Sequence, residues 1–228
     1  RKHRQLRRFR RDPGRRVVTI RRGEPWGAPG PLAADAPVAA GDGELADLVA
    51  AGLAAGRPVT EVGLLGGDLH AALGAPGHTE ADLRSGAGMR LPIDLGEVVV
   101  DRGDGLISRH VFVAHATAGR GRRRWSSRTV VAMNGTHLAG ADLGPRAHPN
   151  DGLLDISDGR VPASQVRAAG RRERTGSHVP HPGILERRTA AYEVLDEREL
   201  PIRVDGRLIG AATHFELRCL PDALVIVV

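Results

Sequence analysis

The chain has 228 residues, enough for one large domain or two small ones, and 41% of them are hydrophobic, so it can bury a core. Aromatic residues make up only 3%, which leaves that core to Val, Leu, Ile and Ala, and the single cysteine, Cys219, excludes an internal disulfide or a cysteine-built zinc site. No apolar run approaches the roughly 18 to 20 residues of a membrane span, no signal-peptide pattern opens the chain, and a cytoplasmic protein is the expectation.

Residues 1–15 are an arginine-rich segment, and "RVVTIRR" at 16–22 reads as a strand from its β-branched run. "GEPWGAPGPL" at 23–32 is a loop by its Gly and Pro density. From Ala36 a short buried strand runs into the turn Gly41-Asp42-Gly43 and then a helix, with Leu45, Leu48, Val49 and Leu53 at helical spacing. "EVGLLGGDLHAALG" at 61–74 repeats the pattern through Gly66-Gly67-Asp68, and Thr79 with Asp82 has the spacing of a capping box. From about Leu91 strands follow one another: "PIDLGEVVVD", "RHVFVAHATAG", "RTVVAMNGTHL", "GLLDISDG", "AYEVLDE", "PIRVDGRLIG", "HFELRCL" and "ALVIVV". The expected architecture is an α/β nucleotide-binding-like lobe over 16–90 followed by an all-β sandwich lobe over 91–228, behind the basic segment 1–15.

Net charge is +6 and the excess is almost all arginine, clustered in "RKHRQLRRFRRDPGRR", "RGRRRWSSR" at 120–128 and Arg171-Arg172. Such clusters suit anionic headgroups, so peripheral contact with a membrane surface is one expectation, weighed against a solvated arginine-rich face. No recognition-helix, zinc-finger or stacking-aromatic signature accompanies them, which argues against specific nucleic-acid readout.

Two glycine turns, each at the carboxyl end of a strand and the start of a helix, form a phosphate site in physical terms: free N–H groups and the positive helix end meet there. Gly41 and Gly43 let a phosphate approach the backbone, and Asp42 is placed to accept a proton or hold Mg²⁺. The plain alternative is an ordinary strand-to-helix turn. In the β half, "NDGLLD" and "RVDGR" place Asp151, Asp155 and Asp205 on turns or strands. If they converge they would bind a hard cation, which takes oxygen ligands. Turn chemistry accounts for Asp151 but not for Asp155, a carboxylate set into an apolar strand.

The order Gly-Asp-Gly, second glycine turn, "IDLG", "VVAMNG", "HPNDGLLD", "RVDG" and "PDALVIVV" resembles that of bacterial diacylglycerol and lipid kinases, within the superfamily of lipid, sphingosine and NAD kinases. The resemblance runs from about Ala36 to Val228. It implies an α/β lobe joined to a β-sandwich lobe with the active site in the cleft, and ATP and Mg²⁺ as cofactors. The acceptor it implies is a hydroxyl of a lipid or small molecule. By the same resemblance Asp42 and Asp205 are catalytic candidates, Gly41, Gly43, Gly66, Gly67, Asp68 and Arg207 contact the nucleotide, and Asp151 and Asp155 hold metal. A homodimer is left open. Glu44 stands where the kinases have Thr, "LLGGDLH" lacks their Thr-Gly-Asn, and Arg207 replaces the Glu of their Asp-Gly-Glu. The segment between Gly119 and Trp125 is shorter than theirs, and no Asn-Pro strand signature precedes Arg16. These departures favour a second reading, a non-catalytic relative that binds a ligand or partner in the same cleft.

"GEPWG" at 23–27 and "HVPHPG" at 178–183 are not kinase motifs and resemble segments of short actinobacterial relatives. Glu24, Trp26, His178 and His181 there are read either as a separate site or as Pro-Gly turns with exposed histidines. His70, His110, His115, His137 and His148 show no metal-ligand spacing and are read as structural.

Overall fold

The computed structural model describes residue 20 and residues 23–101, 106–121 and 123–228. The basic segment 1–15, the strand expected at 16–22 (Ile20 apart) and Arg122 lie outside the described residues.

Two short parallel strands open the α/β part, each feeding a helix through a glycine turn. Strand β2 (Val38–Ala39) leads through Gly41 into α1 (Asp42–Ala54), and β3 (Glu61–Leu64) leads through Gly66 and Gly67 into α2 (Asp68–Ala72). β2 pairs with β3 in parallel, Val38 opposite Gly63. Leu45 and Val49 of α1 are buried, while Leu53, at the same helical spacing, is 52% exposed. A third helix, α3 (Glu80–Ser85), has the expected capping box: the Asp82 N–H donates to Thr79 Oγ1, and the Thr79 N–H donates to the Asp82 carboxylate.

The rest is dominated by strands. After β1 (Ala28–Pro29) come β4 (Met89–Asp101), β5 (Ile107–Phe112), β6 (His115–Gly119), β7 (Thr129–Met133), the short pair β8 (His137–Leu138) and β9 (Ala141–Asp142), and β10 (Leu154–Gly159). Helix α4 (Val166–Arg172) precedes β11 (Ile184–Thr189), β12 (Ala191–Val204) and β13 (Arg207–Val227). One curled sheet links most of them in the order β1-β4-β13-β12-β6-β7-β10-β11, with β3 added to β13 and β5 to β4. The observed fold class is thus the expected one, α/β units followed by β-sandwich elements. α4 and β11 have no counterpart among the expected elements, and the last four expected strands merge into two, β12 and β13.

β13 ties the two kinds of structure together. Its first half, with Phe215, Leu217 and Cys219, sits in a core shared with β4, β6, β7, β10 and β12. Its last residues, Leu224 and Ile226, enter the core under α1 and pair in parallel with β3, Val225 opposite Glu61. The register shift between these halves lies at Leu220/Leu224, where Asp222 takes φ 49°. Asp94 of the "IDLG" motif holds that bulge: buried to 1% exposure, it accepts the Asp222 N–H at 2.9 Å and the Gly152 N–H at 2.6 Å. Gly96 of the same motif leaves room for the Phe112 ring, which a Cβ there would meet at 2.0 Å.

Candidate active site

The two glycine turns face each other across a narrow gap: a Cβ on Gly41 would lie 4.0 Å from the Gly67 backbone. Asp42, the first residue of α1, is buried, and its carboxylate crosses the gap to accept the N–H of Asp68 at 2.5 Å and of Leu69 at 3.3 Å. The aspartate of the first turn therefore caps the helix of the second. Gly67 makes this approach feasible, since it takes φ 103° and a Cβ on it would stand 2.5 Å from Asp42 Oδ1. Burial outweighs the two amide bonds and pushes the Asp42 carboxyl up to about 6.

Asp205, at φ 43° in the tight turn between β12 and β13, meets this pair. Its side chain is 1% exposed and accepts N–H bonds from Val113 at 2.8 Å and from Ala114 and His115 at 3.0 Å. Three amides favour the carboxylate form, yet burial dominates, helped by the charge of Asp42, and the group is pushed up to about 7. The two turns touch: a Cβ on Gly43 would lie 3.9 Å from the Asp205 carbonyl oxygen. Asp68 completes the cluster by accepting the Ala139 N–H at 2.9 Å from the β8–β9 turn.

His115 stands at the centre. Its Nδ1 lies 3.6 Å from Asp205 Oδ1 and 4.0 Å from Asp68 Oδ2, buried and without a hydrogen-bond partner among the described residues. Desolvation, with a smaller push from Arg124, takes its pKa down to about 4 against the pull of Asp68. Sequence reasoning read His115 as structural, because its carboxylate neighbours come from two distant turns and leave no spacing signal.

Several expected site residues are otherwise engaged. Glu44 bends back so that its carboxylate accepts the Ala40 N–H at 2.8 Å, at the mouth of the first turn. Arg207 pairs with Asp47 on the exposed side of α1 rather than facing the gap. Asp151 and Asp155 do not join Asp205. In sheet register His115 is opposite Met133, Met133 opposite Asp155 and Asp155 opposite Arg188, so Asp155 lies two strand spacings, about 10 Å, from His115, with Met133 between. Arg188 fills the place expected for a cation: its guanidinium pairs with Asp151 and lies 3.0 Å from Asp155. The three carboxylates do not converge, which is the condition the cation reading rested on. Asp155 is the acidic half of an ion pair, which is why an apolar strand carries it.

The "GEPWG" and "HVPHPG" segments lie outside this cluster. Trp26 donates its indole N–H to the Pro92 carbonyl at 2.9 Å and packs edge-on against His148. His181 is held by Gln165 and by the Gly183 N–H. His178 is 2% exposed, not exposed as a plain turn would have it, and stacks on Trp125.

The family model of the YegS C-terminal NAD kinase beta sandwich-like domain matches residues 109–228. Among solved structures, a putative diacylglycerol kinase from Bacillus anthracis str. Sterne superposes with a TM-score of 0.60 at 13% identity, over 83% of this chain and 76% of that one. A second putative diacylglycerol kinase from the same organism gives 0.53 at 14% identity, over 75% and 69% of the two chains. A further diacylglycerol kinase structure from it gives 0.50 at 15% identity, over 75% and 66%. A comparison with curated proteins finds no match. The family match covers more than half of the chain, the shared fold agrees with it, and the chain belongs to the family of the YegS C-terminal NAD kinase beta sandwich-like domain.

Proposed function

We propose that the protein is a kinase-like phosphotransferase that moves a phosphoryl group from ATP to a hydroxyl of a lipid or small-molecule acceptor. The observation that carries this reading is the meeting of Asp42, Asp68 and Asp205 where the two glycine turns face each other. Phosphoryl transfer asks a protein mainly for positioning and for offsetting charge. Gly41 and Gly43 leave the first turn open to a phosphate, and Asp205, fixed by three amides, holds the floor of the site in one geometry. ATP supplies the phosphoryl group when bound. For the triphosphate to approach this turn, Glu44 must release the Ala40 N–H.

The residues present do not fit a bound Mg²⁺. Asp151 and Asp155 are paired with Arg188, and among the described residues no group of three or more His, Cys, Asp or Glu side chains is arranged to hold a metal ion. No step is assigned to a metal.

The second reading, a non-catalytic relative using the same cleft for a ligand or partner, is favoured by Glu44 lying at the mouth of the first turn and by Arg207 facing Asp47. Peripheral membrane contact through the arginine clusters draws less support, because Arg124 and Arg128 are paired with Glu173 and Asp158. No helix among the described residues is long and apolar enough to cross a membrane. Calorimetric titration with Mg-ATP separates the two readings: micromolar binding supports the kinase, and absence of binding by both the wild type and Glu44→Thr removes it.

A further inference from the structure

Beside the carboxylate cluster, on the β-sandwich side, lies a cavity of about 270 Å³. His115, Thr117, Arg124, Thr129, Leu138 and Arg203 contribute to its walls, and no carboxylate among the described residues does. Thr117 and Arg203 are register partners on β6 and β12, so their side chains share one face. Arg124 is neutralised by Glu173, whereas Arg203 is exposed, has no carboxylate partner among the described residues, and makes one long hydrogen bond, 3.4 Å, to the Gly206 carbonyl.

His115 is the joint between this cavity and the carboxylates. Its Nδ1 is turned toward Asp205 and Asp68, while the ring lines the cavity, and Nε2 makes no hydrogen bond among the described residues. The ring is neutral at pH 7, so Nε2 is an acceptor when Nδ1 carries the proton. The cavity thus offers a hydrogen-bond acceptor at its inner end and a guanidinium along its wall. Its volume is near the lower end of the range for small-molecule pockets. The apolar lining, Ala118, Leu138 and Pro201, is too small to house acyl chains.

On these grounds, and resting on the phosphotransferase reading above, we infer that this cavity is the acceptor subsite and that it takes a small hydroxyl-bearing anion, a phosphate or carboxylate, with the hydroxyl at His115 and the anionic group at Arg203. The same chemistry is offered by a free metabolite or by an anionic, hydroxyl-bearing lipid headgroup, and the cavity suits either without its acyl chains inside.

The test is binding without nucleotide, read by calorimetry and by the His115 imidazole resonances. The probes are sn-glycerol 3-phosphate in solution and phosphatidylcholine vesicles carrying phosphatidylinositol, with glycerol and dioctanoylglycerol as neutral counterparts. The expected result is that one of the anionic probes binds and shifts the His115 resonances, that both neutral probes bind at least tenfold more weakly, and that Arg203→Ala and Arg203→Gln each weaken the anionic probe at least tenfold. Which anionic probe binds identifies the source. Equal binding of the neutral probes, no binding of either anion, or full affinity in both Arg203 variants overturns the inference. Mg-ATP binding, titrated separately, reports on the phosphotransferase reading: anion binding at Arg203 without ATP binding keeps the subsite and removes the kinase, and the reverse keeps the kinase and removes the subsite.

Discussion

The carboxylate of Asp42 accepts the backbone N–H groups of Asp68 and Leu69, so the residue that opens the first helix caps the second. This contact fixes the distance between the two glycine turns, and it depends on Gly67 having no side chain. In Gly67→Ala the added Cβ would meet Asp42 Oδ1 at 2.5 Å, at a φ of 103° that alanine rarely adopts. We expect a loss of about 2–4 kcal/mol, strain and clash together. In the double variant with Asp42→Ala the clash disappears while the strain stays, so the double should cost less than the two singles added. Additive thermal or urea unfolding energies across that cycle would show that the turns do not touch as described.

Glu44 sits at the mouth of the first turn, with its carboxylate on the Ala40 N–H. Replacing it by Thr frees that amide and removes a negative charge from where phosphates approach the helix end. Mg-ATP should then bind about tenfold more tightly, a gain of about 1.4 kcal/mol. An unchanged dissociation constant would mean that the nucleotide, if it binds, does so away from this turn.

Arg188 stands where a cation was expected. Arg188→Ala leaves two largely buried carboxylates, Asp151 and Asp155, with Arg146, itself paired with Glu186, as the remaining counter-charge on Asp155. The cost should be about 1–3 kcal/mol at pH 7, tempered by the exposure of the arginine. In that variant millimolar Mg²⁺ or Ca²⁺ should raise the melting temperature, while in the wild type it should not. Equal stabilisation of both proteins by Mg²⁺ would place the metal elsewhere.

Where a motif is local, the sequence was readable. The Gly41–Gly43 and Gly66–Asp68 turns, the Thr79–Asp82 cap and the strands of the β half follow from residue type and period, and the order of motifs led to the family. What could not be read were the partners supplied by distant strands. Arg188 lies 33 positions from Asp155 in the chain, and only the pairing of β10 with β11 brings them together. His115 acquires Asp68 and Asp205 from turns far away in sequence. Glu44 and Arg207 were visible as departures, but their rotation onto Ala40 and Asp47 is a matter of packing. Asp94, which pins Gly152 and the β13 bulge, stands in the sequence within the strand "PIDLGEVVVD" and its "IDLG" motif, with nothing nearby to name its amide partners.

His178 makes the stability of the fold sensitive to acid. Both of its ring nitrogens are buried without a hydrogen-bond partner among the described residues, and desolvation together with Arg124 takes its pKa down to about 4. An unfolded chain protonates the same ring near pH 6.5, so between about pH 6.5 and 4 the unfolded state holds a proton that the folded state lacks, and stability falls as pH falls. His115 acts in the same direction. Asp42 and Asp205 oppose them: their folded pKa values, about 6 and 7, lie above the ordinary aspartate value, so the folded state holds the extra protons and acid favours it. The two pairs offset, and the wild type should show only a shallow dependence from pH 7 to 5. His178→Phe keeps a flat ring on Trp125, removes two unpartnered polar atoms and removes one of the acid-sensitive groups. It should raise stability by about 1 kcal/mol at pH 7 and by a further amount on the order of 2 kcal/mol at pH 5, since 1.5 pH units below 6.5 at 1.36 kcal/mol per unit is close to 2. Urea titrations at the two pH values measure both differences. A variant less stable than the wild type at both would show that the imidazole makes a hydrogen bond the fold needs, and the buried, unpartnered ring would have to be abandoned.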